Sequence, residues 1–306
     1  MSDWSIKDIP SQAGRIAVVT GTGGLGYETA LALAAKGGEV ILAGRNAQKG
    51  AASVGQIQAA APGAAIRFEM LDLASLASVA AFGARMIAAG RPLDLLVNNA
   101  AVMSPPDRRE TADGFELQFG TNYLGHFALT AHLLPLLRQA PAPRVVNLSS
   151  LAHRGGRIDF ADLQGAHPYK PWKAYSQSKL AMLMFALELQ RRSDGGGWGL
   201  MSNAAHPGYA RTDLIPNGPG TDRFLWQINR VLQPFVSHSA AAGALPTLFA
   251  ATAPEAKGAA YYGPDGFYEL KGPPKPARIM PQAEDQEVAR RLWQVSQDLT
   301  GVRFPG

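Results

Sequence analysis

The sequence predicts an α/β fold, a doubly wound parallel sheet with helices on both faces, three layers deep. Three observations point there. Short β-branched apolar runs alternate with helical stretches of about 10–20 residues along most of the chain, the mark of βαβ units. A glycine cluster, Gly21 to Gly26, joins the first such run to the first helical stretch. The length of 306 residues with 46% hydrophobic content supports one large core.

The elements follow in order. Residues 1–14 read as a loose arm. Arg15 to Thr20 (RIAVVT) is a buried strand, and Leu25 to Lys36 is an Ala- and Leu-rich helix stopped by Gly37-Gly38. Val40 to Ala43 is the next strand. A helix is expected near 47–61, a strand at 66–71, a helix from Ser75 to Ala89 and a strand at 93–98. A longer helical region spans about 113–139. Arg144 to Ser149 is a strand, 173–193 a helix and 199–205 a strand. Right-handed crossovers make this one domain, residues 1–306, with its core βαβ units in 15–206. Three segments break the alternation: 153–172, 213–236 and 254–281. The second reads as a lid over a substrate, the third as a last strand and tail, part of a 254–306 unit closed by a helix near 283–299.

Composition removes several function classes. The chain has no cysteine, so disulfides, thiolate zinc sites and thiol catalysis are excluded. The net charge of +5 is spread along the chain, so no nucleic-acid footprint is expected. Its densest apolar stretch, Leu180 to Leu187, lies between Lys179 and Glu188. That falls well short of the roughly 20 residues a membrane span needs. The first residues lack the apolar core of a signal peptide, so a cytoplasmic protein is expected. No histidine has metal-ligand spacing with partners, and no metal is expected.

Gly21, Gly23 and Gly26 match G-x-G-x-x-G between a strand and a helix. The first glycine permits a tight turn, the second admits a pyrophosphate, and the third lets helix pack on strand. Gly24 and Leu25 complete the loop, and the helix N-terminus offers N–H groups to phosphate. The second strand ends in Leu42-Ala43-Gly44-Arg45, with no acid to hold a ribose 2′-hydroxyl. Arg45 suits a 2′-phosphate, so NADP(H) is expected in preference to NAD(H). Arg45 as a plain solvated residue is the competing reading. Asp72, beside Leu73, has two readings: acceptor for the adenine amino group or cap of the next helix.

Tyr175 and Lys179 lie one helical turn apart on one face. Ser149-Ser150 ends the preceding strand, Asn98-Asn99-Ala100 ends the one before, Asn122 stands in Gly120-Thr121-Asn122-Tyr123, and Pro207-Gly208-Tyr209-Ala210-Arg211-Thr212 follows the sixth strand. In this order, with the glycine loop, these motifs resemble the short-chain dehydrogenase/reductase family over nearly the whole chain. Such a chain has a Rossmann-type fold. Thr111 to Glu116, Asn122 to Phe127, Ser149 to His153 and Ala289 to Trp293 resemble its retinol-dehydrogenase-like branch. Two departures stand out. The glycine loop is one residue shorter than the family's TGxxxGxG, and Ala101 replaces the glycine of NNAG.

The resemblance implies hydride transfer between nicotinamide and a carbonyl or alcohol carbon. It assigns Tyr175 as proton donor, Lys179 as its partner and ribose holder, Ser150 as the group bonding the substrate oxygen, and Asn122 as holder of a relay water. It places Pro207, Gly208 and Thr212 at the nicotinamide carboxamide, and Asn98 and Ala100 at the ribose side. An ammonium 4–5 Å from Tyr175 contributes on the order of 4 kcal/mol at an effective dielectric constant near 20, and so is expected to lower the phenol's pKa. Ser149 is the alternative to Ser150. Leu214, Ile215, Phe224 and Trp226 are candidate substrate contacts for a bulky apolar ketone, aldehyde or alcohol, or simply packing on the sheet. The apolar helix from Tyr175 to Gln190 is a candidate homo-oligomer interface, or else a crowded core. His206 reads as structural. Two other functions use this fold: a non-catalytic NADP-binding sensor and a light-dependent tetrapyrrole reductase. The complete Ser150, Tyr175 and Lys179 set argues against the first, the absence of cysteine against the second.

Overall fold

The structure, a computed structural model, describes residues 4–166, 168–210 and 238–305. Seven strands run parallel in the order β3-β2-β1-β4-β5-β6-β7, and an eighth closes the edge antiparallel to β7. They are β1 Ile16–Thr20, β2 Glu39–Gly44, β3 Ile66–Met70, β4 Leu95–Asn98, β5 Arg144–Leu148, β6 Met201–Ala205, β7 Tyr261–Pro264 and β8 Pro274–Pro276. The helices are α1 Gly24–Ala35, α2 Ala47–Ala60, α3 Leu76–Ala88, α4 Gly125–Leu137, α5 Pro171–Gly196, α6 Ala240–Thr252, α7 Pro281–Glu284 and α8 Gln286–Thr300.

The strands read as unbroken apolar runs because both faces of the sheet are covered. Ile16 and Val18 of β1 face a core shared with α3, α4, α5 and α8. Ala17 and Val19, one residue out of phase, face a second core with α1, α2 and α6. The strand order reverses between β1 and β4. That reversal opens a crevice past the carboxyl ends of these strands, where ligands of such sheets bind.

Four elements differ from the sequence expectation. The region 113–139 is not helical from its start. Glu110 and Glu116 pair as an antiparallel bridge around Gly114, which has φ +82°. The Asp113 carboxylate accepts the Leu76 N–H at 2.9 Å, so this turn caps α3. A π-helical turn, Phe119–Leu124, then leads into α4. Helix α6 had no sequence assignment; the Ser239 side chain caps it by accepting from the Ala242 N–H, and Pro246 lies inside it. The 254–281 segment holds two strands, not one.

The apolarity of α5 has its explanation inside one chain. Every residue from Ala174 to Leu189 is buried. Phe185 packs on Trp293 of α8 and on Phe304 beyond it, at ring-centroid distances of 5.7 and 6.4 Å. The Phe185 side of the helix is therefore covered by its own chain. Residues 211–237 lie outside the described residues, and with them Thr212, Leu214, Ile215, Phe224, Trp226 and the 213–236 lid. Among the described residues no helix is long and apolar enough to cross a membrane.

Candidate active site

The crevice begins at the glycine loop. Gly21 follows β1 with φ +94°, and its N–H donates to Ala43 O at 2.8 Å, which ties the loop to β2. A Cβ on Gly26 would stand 2.2 Å from Gly21 O, so only glycine lets α1 start this close to β1. Gly23 precedes α1 without a side-chain cap, leaving the helix mouth bare for a phosphate. Leu25 is buried beneath it, against the backbone of Gly243. The loop is short by one residue but keeps the cradle that a pyrophosphate requires. Arg45, exposed, stands immediately past β2 on the same rim. These residues fit a dinucleotide.

The catalytic candidates come from three elements. Tyr175 and Lys179 share one face of α5 and are both buried, with the Lys179 Nζ 5.8 Å from the centre of the Tyr175 ring. Lys179 also donates to Leu148 O at 3.1 Å, anchoring α5 to the end of β5. Ser150 stands just past that strand, near enough to the Tyr175 phenol to act on its pKa, and its hydroxyl accepts the Ala152 N–H at 3.2 Å. Ser149 is committed elsewhere: its hydroxyl donates to Lys179 O at 2.7 Å. The partly exposed Ser150 is thus the one available to a substrate oxygen. Asn122 sits in the π-helical turn, where its amide accepts from Val102 N at 2.7 Å and donates to Val102 O and to the Ser178 hydroxyl. π-Helical turns recur at functional sites. The structure therefore brings Ser150, Tyr175 and Lys179 together, with Asn122 bonded to the residue beside Lys179.

The electrostatics differ from expectation at Tyr175. Burial pushes its phenol up to about 12, with the neighbouring Ser150 hydroxyl pulling the other way. The expected lowering by Lys179 is absent. That ammonium lies over the ring, and burial lowers its own pKa to about 8. A phenol that stays protonated at neutral pH is the form that donates a proton.

Lys179 carries a stability cost that can be measured. Its folded pKa of about 8 lies below its ordinary 10.5, so the native state disfavours the charged form. Below pH 8 the full penalty applies. Between about 8 and 10.5 the unfolded chain binds the extra proton, so stability rises with pH. Lys179→Met should therefore stabilise the ligand-free protein at pH 7 by about 2 kcal/mol, allowing for the lost Leu148 bond. Thermal unfolding should show a midpoint about 3 °C higher. The gain should shrink at pH 9.5. An equal or lower midpoint at pH 7 would show that the burial cost is compensated.

The remaining expected residues are placed as follows. Pro207 and Gly208 follow β6. Gly208 has φ +66°, Pro207 O pairs with the His238 ring at 2.6 Å, and the Tyr209 N–H donates to Leu270 O. Ala100 is half-buried at the end of β4, its N–H held by Thr20 Oγ1 at 3.0 Å. Asn98 points away from the crevice. Its amide donates to Asn147 and Thr130 within the core, so it fixes β4 from behind. Leu73 puts its side chain in the core, with its carbonyl against Gly125. The Asp72 carboxylate accepts the Ala74 N–H at 3.0 Å in the turn before α3, and the helix itself is capped by Ser75, which accepts from the Ser78 N–H.

Several site residues carried no assigned role in the sequence reading. Asn99, not Asn98, faces the glycine loop, and its amide donates to Thr20 O at 2.7 Å. Strand alternation was the available signal, since neighbours on a strand point to opposite faces. Glu269 accepts from His206 at 3.0 Å and pairs with Arg154 at 2.8 Å. It so ties the start of the Pro207 loop to the turn after Ser150. His206 is structural, as expected.

The model of the short chain dehydrogenase family matches residues 15–218. Polyprenol dehydrogenase of Mus musculus is 44% identical over 299 residues, covering 96% of this chain and 86% of its own. Retinol dehydrogenase 13 of Homo sapiens is 41% identical over 306 residues, covering 97% of this chain and 88% of its own. Among solved structures, an uncharacterised protein of Mycobacterium paratuberculosis superposes with a TM-score of 0.82 at 39% identity, over 100% of both chains.

Proposed function

The chain belongs to the short-chain dehydrogenase family, in its retinol-dehydrogenase-like branch, and from that membership we propose that it is an NADP(H)-dependent oxidoreductase acting on a bulky apolar ketone, aldehyde or alcohol. The observation that carries the reading is Tyr175, buried, with Ser150 acting on its phenol and the Lys179 Nζ 5.8 Å from its ring centre.

When bound, the reduced nicotinamide supplies a hydride to the carbonyl carbon. The chain's own residues do the rest. Ser150 donates a hydrogen bond to the carbonyl oxygen and stabilises the charge that gathers there. Tyr175 gives its proton to that oxygen, producing the alcohol. Lys179 holds the ribose hydroxyls and supports the phenolate that remains. Asn122 holds the water through which the proton is replaced. Because burial keeps Tyr175 protonated at neutral pH, the residue stands in the form that donates to a carbonyl oxygen. Arg45 supports the choice of NADP(H), as the cation next to the ribose end of the crevice. The names of the polyprenol and retinol dehydrogenases support a long apolar isoprenoid substrate.

Fluorescence titration with NADPH and NADH, followed by a panel of retinal, long-chain enals and bulky aromatic ketones, tests this reading. Tighter NADPH binding and loss of nicotinamide absorbance with at least one apolar carbonyl are expected. Preferred NADH binding would overturn the role of Arg45. Tight NADPH binding without turnover across the panel would move the protein to a sensor role.

A further inference from the structure

The geometry points to His126 as a positioning residue that joins the nucleotide loop to the Asn122 turn and through it to the catalytic helix. The contacts form one continuous chain. Asn99 lies against Gly21 and Gly26 of the glycine loop, within 3 Å of where a Cβ would stand on either. Its amide donates to Thr20 O at 2.7 Å. The Thr20 hydroxyl accepts the N–H groups of Asn99 and Ala100, at 2.9 and 3.0 Å. That hydroxyl lies 2.9 Å from His126 Nε2, and His126 Nδ1 lies 2.8 Å from Asn122 O. The Asn122 amide donates to the Ser178 hydroxyl at 3.0 Å, which donates to Tyr175 O at 2.8 Å. His126 joins β1 directly to the π-helical turn, side chain to backbone, where the other route runs through the loop from Ala100 to Val102.

The partners fix the proton positions. Asn122 O only accepts, so Nδ1 carries the ring proton and donates it. Nε2 is then bare and accepts from the Thr20 hydroxyl. That hydroxyl has one proton, two amide donors already pointing at it, and a longer alternative acceptor in Val97 O at 3.3 Å. A second ring proton would leave two donors face to face. Burial lowers the His126 pKa to about 4, and the Lys179 charge acts in the same direction. The ring is therefore neutral, has no free nitrogen, and takes no proton in turnover. A residue chosen to fill space here would be apolar. This one satisfies buried polar groups on two different elements, and a polar network in a core is rigid only when each member is paired.

What the linkage serves rests on the proposed nicotinamide chemistry: settling a pyrophosphate into the glycine loop would tighten Thr20 and Asn99, and His126 would carry that order to Asn122 and Tyr175. The test needs no turnover. His126→Phe removes both bonds at similar size, whereas His126→Asn keeps a donor to the carbonyl four residues back and loses reach to Thr20. NADPH binding and residue-resolved amide exchange are measured on the full chain, with Val146 of β5 as a remote reference. His126→Phe is expected to raise the NADPH dissociation constant about tenfold. It should also speed exchange about tenfold at Asn99, Ala100 and Val102, with Val146 unchanged. His126→Asn is expected to speed exchange at Asn99 and Ala100 and leave Val102 as in the wild type. If the phenylalanine variant does not fold, the asparagine pattern alone decides. Wild-type behaviour of the variants, equal acceleration at Val146, or an asparagine variant that loosens Val102 as much as Ala100 would each overturn the proposal. Failure of the unmodified protein to bind NADPH would count against the proposed function, with the exchange pattern still deciding the linkage.

Discussion

Tyr175→Phe is expected to cut reduction of the best carbonyl by a factor of about 10²–10⁴, the range that a positioned proton donor contributes. The variant loses one oxygen from a buried site that it shares with Ser150, and the ring keeps its packing. NADPH affinity should stay within a few-fold, because the glycine loop and Arg45 are untouched. The loss should appear in kcat, since the proton moves only as the transition state forms. The pH profile carries further information. With the phenol held near 12, reduction by the wild type should show no loss through Tyr175 ionisation between pH 6 and 9. Oxidation of the corresponding alcohol needs the phenolate and should climb over the same interval. Turnover by the phenylalanine variant at the wild-type rate would remove Tyr175 from the chemistry.

Arg45 carries the second large effect. It is exposed at the end of β2, where Leu42-Ala43-Gly44 offers no carboxylate. Arg45→Ala should weaken NADPH binding about 10–100-fold and leave NADH binding nearly unchanged, because a hydrogen-bonded ion pair to a phosphate is lost. Arg45→Asp should go further and reverse the preference, repelling the 2′-phosphate and accepting from a free 2′-hydroxyl. The wild-type preference should shrink as salt rises, since the guanidinium faces solvent. Equal weakening of both cofactors would mean that Arg45 shapes the loop instead of reading the phosphate. Paired fluorescence titrations of the three proteins at two ionic strengths decide it.

Much of the sheet was legible because its strands are buried on both faces, and a run such as Ile16–Thr20 then shows its apolarity without interruption. The catalytic helix was legible from Tyr175 and Lys179, whose spacing is set by helix geometry alone. The errors have local causes. Asp113-Gly114 is a turn signal inside an otherwise helical pattern, and the capping role of Asp113 toward Leu76 depends on a partner 37 positions away. Helix α6 follows a stretch of aromatic and polar residues with no periodicity of its own. Tyr268 and Glu269 adopt positive φ without a glycine to announce it. His126 could not be read because its two partners, Thr20 and Asn122, meet only when β1 and the π-helical turn are in place. The Tyr175 pKa depends on burial, and spacing does not report burial.

The covering of α5 by Trp293 and Phe304 also has an order in time. Residues that shield the helix follow it by about a hundred positions, and chains grow at about 5–20 residues per second. For roughly 5–20 s of synthesis this helix, the longest among the described residues, lacks that part of its cover. During that interval the flank of the helix around Phe185 is a surface that a neighbouring nascent chain or a chaperone can reach.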